Sequence, residues 1–264
     1  MLRKSHGAFM AGDEVIEWNS QSNENEQKRT SLLLVGKLWS SKRVNVKAAI
    51  NTMCGLWSTK DSVVGKVVDV QAKIFVFQFE EKCDKERVLE GQPWHFDGFV
   101  WCFNEPNPNG KVSEVSLVHV PHWVRIFDLP LQGRSNIENA RQIGNVLGGF
   151  LELDSSLYPE LAMRIRVLHD VRVPLKKDIA IRMNGECVSK FPVKYERLPT
   201  FCYGCGVLGH GVRNCEKGPF EEGTYEFGPW NAVSSRKTVK KQEKPKKEEE
   251  DIQSMVEKLR IGSL

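Results

Sequence analysis

Lys73-Ile-Phe-Val-Phe-Gln-Phe79 alternates strictly, with Phe75, Phe77 and Phe79 falling on one face of an extended chain. A period of two built from aromatic and β-branched residues is the pattern of a β-strand, because successive strand side chains point to opposite faces of a sheet. The flanking segments set this strand in a domain. Val63–Val70 is a β-rich run just before it, and Leu32-Leu-Leu-Val-Gly-Lys-Leu-Trp39 is an apolar run of strand length. Between these two, Val46, Ala49, Ile50, Met53 and Trp57 recur at helical spacing and predict an amphipathic helix over 45–57. Glu81–Glu90 reads as a polar helix and Trp94–Phe103 as an aromatic strand, before Asn104-Glu-Pro-Asn-Pro-Asn-Gly110 breaks the pattern.

The order β-α-β-β-α-β predicts an α+β fold, with a ferredoxin-like, RRM-like domain over residues 31–110. Two helices on one face of a four-stranded sheet leave the other face open, and RNA-recognition modules stack bases on that face. The Phe strand resembles the aromatic half of such a module's third strand but lacks its glycines. The simpler reading of alternate Phe residues turns the rings into the domain's own core.

A second small α+β unit is expected over 111–199. Val120–Phe127, Phe150–Leu153, Met163–Leu168, Asp178–Met183 and Val188–Tyr195 read as strands, and Ile137, Ala140, Gly144 and Leu147 mark a helix. From 164 to 200, Arg164, Arg166, Arg172, Lys176, Lys177, Arg182, Lys190, Lys194 and Arg197 outnumber Asp170, Asp178, Glu186 and Glu196. Such an excess suits phosphate neutralisation, or a solvated sheet face. Pro199 stiffens the junction between this unit and the cysteine-rich segment at 200–217.

Beyond that junction, Cys202, Cys205, His210 and Cys215 fall as C-x2-C-x4-H-x4-C. Three thiolates and an imidazole suit a closed, tetrahedral, structural Zn2+ site, since zinc accepts four S/N ligands without a water. Gly204 and Gly206 free the backbone around the first pair, and Gly209 allows a sharp turn before His210. A redox C-x-x-C pair would sit beside a βαβ pattern, which is absent around Cys202 and Cys205.

The segment from Cys202 to Cys215 resembles the CCHC zinc knuckle of retroviral nucleocapsid and retrotransposon proteins, including an aromatic at Tyr203 and the basic Arg213 before the last ligand. The resemblance implies single-stranded nucleic-acid binding, with an unpaired base on a small apolar platform. Tyr203 matches the stacking aromatic, and Val212 stands where a larger residue often sits, which implies weaker binding. Residues 30–155 resemble DUF4283, a domain of plant proteins encoded by LINE-type retroelements and their relatives. The residues that carry this are Leu34-Val-Gly-Lys-Leu, Phe75-Val-Phe-Gln-Phe, Arg87-Val-Leu-Glu-Gly-Gln-Pro-Trp94-His-Phe, Trp123-Val-Arg-Ile-Phe-Asp-Leu-Pro130 and Ile143-Gly-Asn-Val-Leu-Gly148. Tyr225-Glu-Phe-Gly-Pro-Trp230 resembles the aromatic motif that comes after the knuckle in this family, although Asn231-Ala-Val departs from its basic continuation.

The chain has 264 residues, 40% apolar and 27% charged, with a net charge of +4, enough for two small domains and tails. It lacks both an eighteen-residue apolar run and the apolar core of a signal peptide, so a soluble intracellular protein of the nucleus or cytoplasm is expected, without membrane contact. Cys54, Cys83, Cys102 and Cys187 follow no disulfide framework and are expected to be buried thiols. Residues 1–30 are polar and expected to be mostly flexible. Residues 218–264 are expected to form a charged, disordered tail, with a basic block at 236–247 and a short amphipathic helix through Ile252, Met255, Val256 and Leu259 that suits a protein partner or self-association.

No paired-carboxylate site, phosphate-binding loop or deaminase pattern is found, and His95, His119, His122 and His169 read as ordinary strand or loop residues, so an enzyme is not expected. The expected function is zinc-dependent binding of single-stranded RNA or DNA. Phosphate contacts would come from Arg164, Arg166, Arg172, Lys176, Lys177 and Arg213, and stacking from Tyr203 beside Val212. The alternative is a zinc-stabilised interaction or assembly module.

Overall fold

The computed structural model describes residues 16–17, 23–57, 63–154, 162–183, 185, 187–221 and 223–233. The basic block and the amphipathic segment at 252–259 lie outside these residues, as do 1–15 and 18–22. Within them the chain is a mixed α/β structure with two antiparallel sheets and a zinc-knuckle region. It begins with α1 (Glu24–Ser31), where flexible chain was expected. Asn23 caps this helix by accepting from the Glu26 N–H at 2.9 Å, with Glu24 and Glu26 in the first turn and Lys28 and Arg29 in the last, as the helix dipole favours.

The first sheet comprises β1 (Leu33–Trp39), β2 (Val64–Asp69), β3 (Ile74–Gln78), β4 (His95–Phe96) and β5 (Phe99–Asn104), in the order β2-β3-β1-β5-β4. Helix α2 (Val46–Trp57) joins β1 to β2, and α3 (Lys82–Glu90) comes after β3. Trp94–Phe103, read as one strand, is a hairpin: Asp97 and Gly98, with φ of 51° and 77°, turn β4 into β5.

Phe75, Phe77 and Phe79 are buried, and with Trp57, Trp101 and Phe103 they form an aromatic core against Ala49 and Met53 of α2 and Val88 of α3. Phe75 meets Trp101 edge-on, with ring centroids 4.9 Å apart. The rings therefore serve the core rather than a base-stacking surface. The opposite sheet face, expected to be open, is covered. Val35, Val100 and Cys102 point away from the aromatic core and share a second core with Val120, Val124, Ile165 and Val167 of the other sheet. Each sheet side chain buried this way contributes about 1.5–3 kcal/mol, and the separated domain would forfeit it.

The second sheet comprises β6 (His119–Phe127), β7 (Phe150–Leu153), β8 (Ala162–Asp170), β9 (Asp178–Arg182) and β10 (Val188–Tyr195), in the order β7-β8-β6-β10-β9. Position for position this repeats the order of the first sheet. Helix α4 (Ile137–Leu147) takes the place of α2 and packs Ala140, Ile143 and Leu147 into the second core. Where the first unit has α3, the second has residues 171–177, a loop carrying Arg172, Lys176 and Lys177.

Two further differences from the sequence expectations concern the scattered cysteines and the tail. Cys102 is buried, whereas Cys54 is half-buried and Cys83 and Cys187 are exposed. The part of the tail that is described folds back: Phe227 is buried, and the Val233 N–H donates to the Tyr195 carbonyl at 2.9 Å. His122 and His169, on the core face of the second sheet, are 0% and 2% exposed, and both rings lie edge-on to Tyr195.

Candidate metal centre

The donor atoms of Cys202, Cys205, His210 and Cys215 all lie within 4.8 Å of one another. The Cys205 Sγ is 3.4 Å from His210 Nε2. Tetrahedral zinc, with bonds of about 2.0–2.3 Å, separates its ligands by roughly 3.5 Å, so the cluster fits one structural zinc held by four side chains. Two local turns build it. The Cys202 N–H donates to the Val207 carbonyl at 2.9 Å and the Gly206 N–H to the Cys202 carbonyl at 2.8 Å, closing the first Cys pair. Gly206 takes φ +74°, and a Cβ there would come within 2.6 Å of the Phe227 ring. Gly209 takes φ +88° immediately before the His ligand.

The knuckle is fixed to both sheets rather than tethered. The Gly209 N–H donates to the Thr200 carbonyl and its own carbonyl accepts from Ser41 at the end of β1, each at 2.9 Å. The Thr200 N–H reaches the Gly98 carbonyl at 2.7 Å, and the Leu175 N–H, from the loop after β8, reaches the Gly206 carbonyl at 2.9 Å. Phe201 and Leu208, flanking the ligands, are buried in the second core.

Residues 26–123 match the family described as a domain of unknown function, DUF4283, and residues 169–217 match the one described as a zinc knuckle. The chain carries a DUF4283 domain followed by a CCHC zinc knuckle. The DUF4283 match takes in the whole first sheet and stops at Trp123 within β6, short of the residue-155 limit read from sequence. The knuckle match begins at His169, well before the first ligand, and so includes the 171–177 loop, β9 and β10. No curated protein matches the chain. No helix among the described residues is long and apolar enough to cross a membrane.

The basic residues singled out in the sequence separate into two groups. Arg164 and Arg166 are engaged within the protein. The Arg164 guanidinium bonds both carboxylate oxygens of Glu196, at 2.9 and 3.0 Å, and Asp154 at 2.8 Å, and it lies 3.7 Å from the Trp123 ring centre. Burial alone would raise the Glu196 carboxyl, but Arg164 and Arg125 together hold it below its ordinary value. Arg166 donates to the Glu90 carbonyl at 2.7 Å and Arg197 to that of Gly91 at 3.1 Å, so two cations of the second unit satisfy the last carbonyls of α3 in the DUF4283 domain.

Arg172, Lys176, Lys177 and Arg213 are exposed. Arg172 forms a surface pair with Asp170, which draws that carboxyl down to about 2. Lys177 pairs with Glu226 at 2.6 Å. Tyr203 is half-buried, packed edge-on to Phe201 at 5.1 Å and near Tyr225 at 6.4 Å, and Val212 is half-buried beside Arg213. Sequence reasoning missed Tyr225 as a neighbour of Tyr203. The link is a backbone bond, from the Phe227 N–H to the Tyr203 carbonyl at 3.0 Å, that no spacing rule announces.

Proposed function

We propose that this protein binds single-stranded nucleic acid, RNA or DNA, through its zinc knuckle, and that it is a binding protein rather than an enzyme. The observation that carries this reading is the knuckle's setting. Tyr203 is half-buried, and the 171–177 loop, docked on the knuckle by the Leu175 N–H to the Gly206 carbonyl, carries the exposed Arg172, Lys176 and Lys177. An aromatic beside exposed cations is the arrangement that stacks a base and neutralises its phosphate, at about 1–3 kcal/mol per stacked base. Arg213 adds a further exposed cation, and the small Val212 favours modest affinity for an isolated knuckle. Arg164 and Arg166 act in this reading as scaffold, since they are the more buried and are held by acids and helix carbonyls, whereas Arg172 and Lys177 pair with Asp170 and Glu226 at the surface, where a phosphate competes for them. A ligand set that fills all four zinc positions leaves none for a substrate, which favours a structural metal.

The strand order of each unit supports a ferredoxin-like, RRM-like ancestry, with base recognition moved from the sheet face to the knuckle. The domain order resembles that of plant LINE-type retroelement proteins and supports a retroelement origin. Three thiolate ligands suit a reducing nuclear or cytoplasmic setting.

The test is oligonucleotide binding across a salt series. The zinc-loaded protein should bind single strands with affinity that falls steeply with salt, and Cys205→Ser should lose the metal and most of that affinity. Unchanged affinity without zinc would remove the knuckle from the mechanism. Absence of binding even at low salt would favour an assembly role for the metal.

A further inference from the structure

The knuckle and the DUF4283 domain enclose a cleft of about 480 Å³. One wall is the knuckle from Cys205 to His210 and from Asn214 to Lys217, and the other is the end of β1 with the β2–β3 turn. We infer that this cleft holds a segment of single-stranded nucleic acid, so that Lys37, Trp39 and Lys73 of the DUF4283 domain contact the strand together with Lys217 and Arg172. This rests on the reading of the protein as a single-strand binder and adds a path for the strand that the knuckle alone would not specify.

The cleft has the size and chemistry for it. Its volume lies within the roughly 300–1,000 Å³ of ligand pockets, room for about one or two nucleotides. Trp39 is half-buried at one end of the first sheet, its indole N–H bonded to the Leu117 carbonyl at 2.8 Å, which fixes the ring plane. The Lys37 ammonium lies 4.4 Å from the indole centre. The indole carries that cation on one face and packs against the second core, so the pair presents the strand with a phosphate partner held in place on a half-buried aromatic. Lys73 spends one N–H on the Ser40 carbonyl, at 2.7 Å, and keeps the others.

Charge runs the same way. Among the described residues, Arg172 is paired with Asp170, whereas Lys37, Lys73 and Lys217 have no carboxylate partner. The opposing charges are Glu216, Asp170 and the zinc centre, which three thiolates leave net negative by one. The four cations outweigh them, and an anionic backbone entering the cleft completes the balance. The knuckle's hold on β1 through Ser41 and Gly209 sets the spacing of the two walls before any ligand arrives.

The test uses the full zinc-loaded chain and fluorescein-labelled oligouridylate and oligodeoxythymidylate. Lys37→Glu combined with Lys217→Glu should lower affinity at least about tenfold and flatten the salt dependence by about two phosphate contacts, while Lys47→Glu on α2, which packs on the other face of the sheet, leaves both unchanged. Zinc content and thermal unfolding verify that each variant is folded, and Lys73→Gln, a milder change, should produce a smaller shift of the same sign. Thiouridine-substituted strands should crosslink within residues 37–41 or 71–73. If the wild type binds and the Lys37/Lys217 variant binds equally, or crosslinks are confined to Tyr203 and the 171–177 loop, the cleft is overturned while single-strand binding stands. If the wild type does not bind at low salt, both fall.

Discussion

Gly209→Ala is the sharpest probe of how the zinc site depends on its surroundings. Gly209 combines φ +88° with a position where a Cβ would lie 3.1 Å from the Trp39 carbonyl oxygen, which is backbone and moves only with β1. The left-handed conformation costs a residue with a side chain about 1–2 kcal/mol, and the close carbonyl adds to that. Relief would require the 209–210 peptide to rotate, which breaks the bond from Ser41 and swings His210 away from the three sulfurs. A loss of about 1–2 kcal/mol corresponds to about a 5–30-fold drop in zinc affinity, measured by competition with a chromogenic chelator. Gly211→Ala is the matched control, because that residue has ordinary φ and open space around its Cβ position. Equal zinc affinity and equal unfolding midpoints for the two variants would refute the reasoning.

Buried histidines, a paired arginine and the aromatic core each give a further measurable outcome. Burial pushes the His122 imidazole down to about 3 and those of His169 and His95 down to about 4, while in the unfolded chain each takes up its proton near 6.5. The unfolded state therefore binds more protons below pH 6.5, and stability should fall by about 1.4 kcal/mol per pH unit for each histidine as pH drops toward 4. His122→Phe should flatten that slope by one proton in denaturant titrations at several pH values, and an unchanged slope would show that the ring is not buried neutral. Arg164→Met should destabilise the protein by about 3 kcal/mol, by leaving Glu196 short of a partner, without altering single-strand affinity. A reduced salt slope of binding in that variant would instead make Arg164 a phosphate contact. Phe77→Leu should cost about 1–2 kcal/mol in urea unfolding with zinc affinity unchanged, since the ring belongs to the core distant from the metal. A matching loss of zinc would mean that the two cores unfold as one.

The metal centre was legible because its chemistry is local. Four ligands within fourteen residues leave few ways to fold around a metal, and the glycines mark where the backbone must turn. Most elements were legible from period, and β7 and β10 fall at the residues expected, while the β4–β5 hairpin was read as one strand. Helix α1 escaped notice because it has no apolar stripe, although the Asn23 cap and the placement of charges were there to read. The roles of the basic residues were not legible. Arg164 and Arg172 look alike in sequence, and their difference is that Arg172 meets only its neighbour Asp170 at the surface, whereas the pairing of β7, β8, β6 and β10 brings Asp154 and Glu196 to a more buried Arg164.

By itself the sequence determined most strands and helices, though not α1 or the turn between β4 and β5, together with the alternating aromatic core and the zinc ligands, because each depends on a period or spacing of a few residues. Only the tertiary structure decided that the second sheet repeats the strand order of the first and covers its open face, and that the knuckle is bolted to β1 across a basic cleft. Those features arise from contacts between residues a hundred or more positions apart, such as Ser41 with Gly209 and Gly98 with Thr200. Burial of apolar surface and satisfaction of backbone groups select such contacts over the whole chain, and no local pattern encodes them.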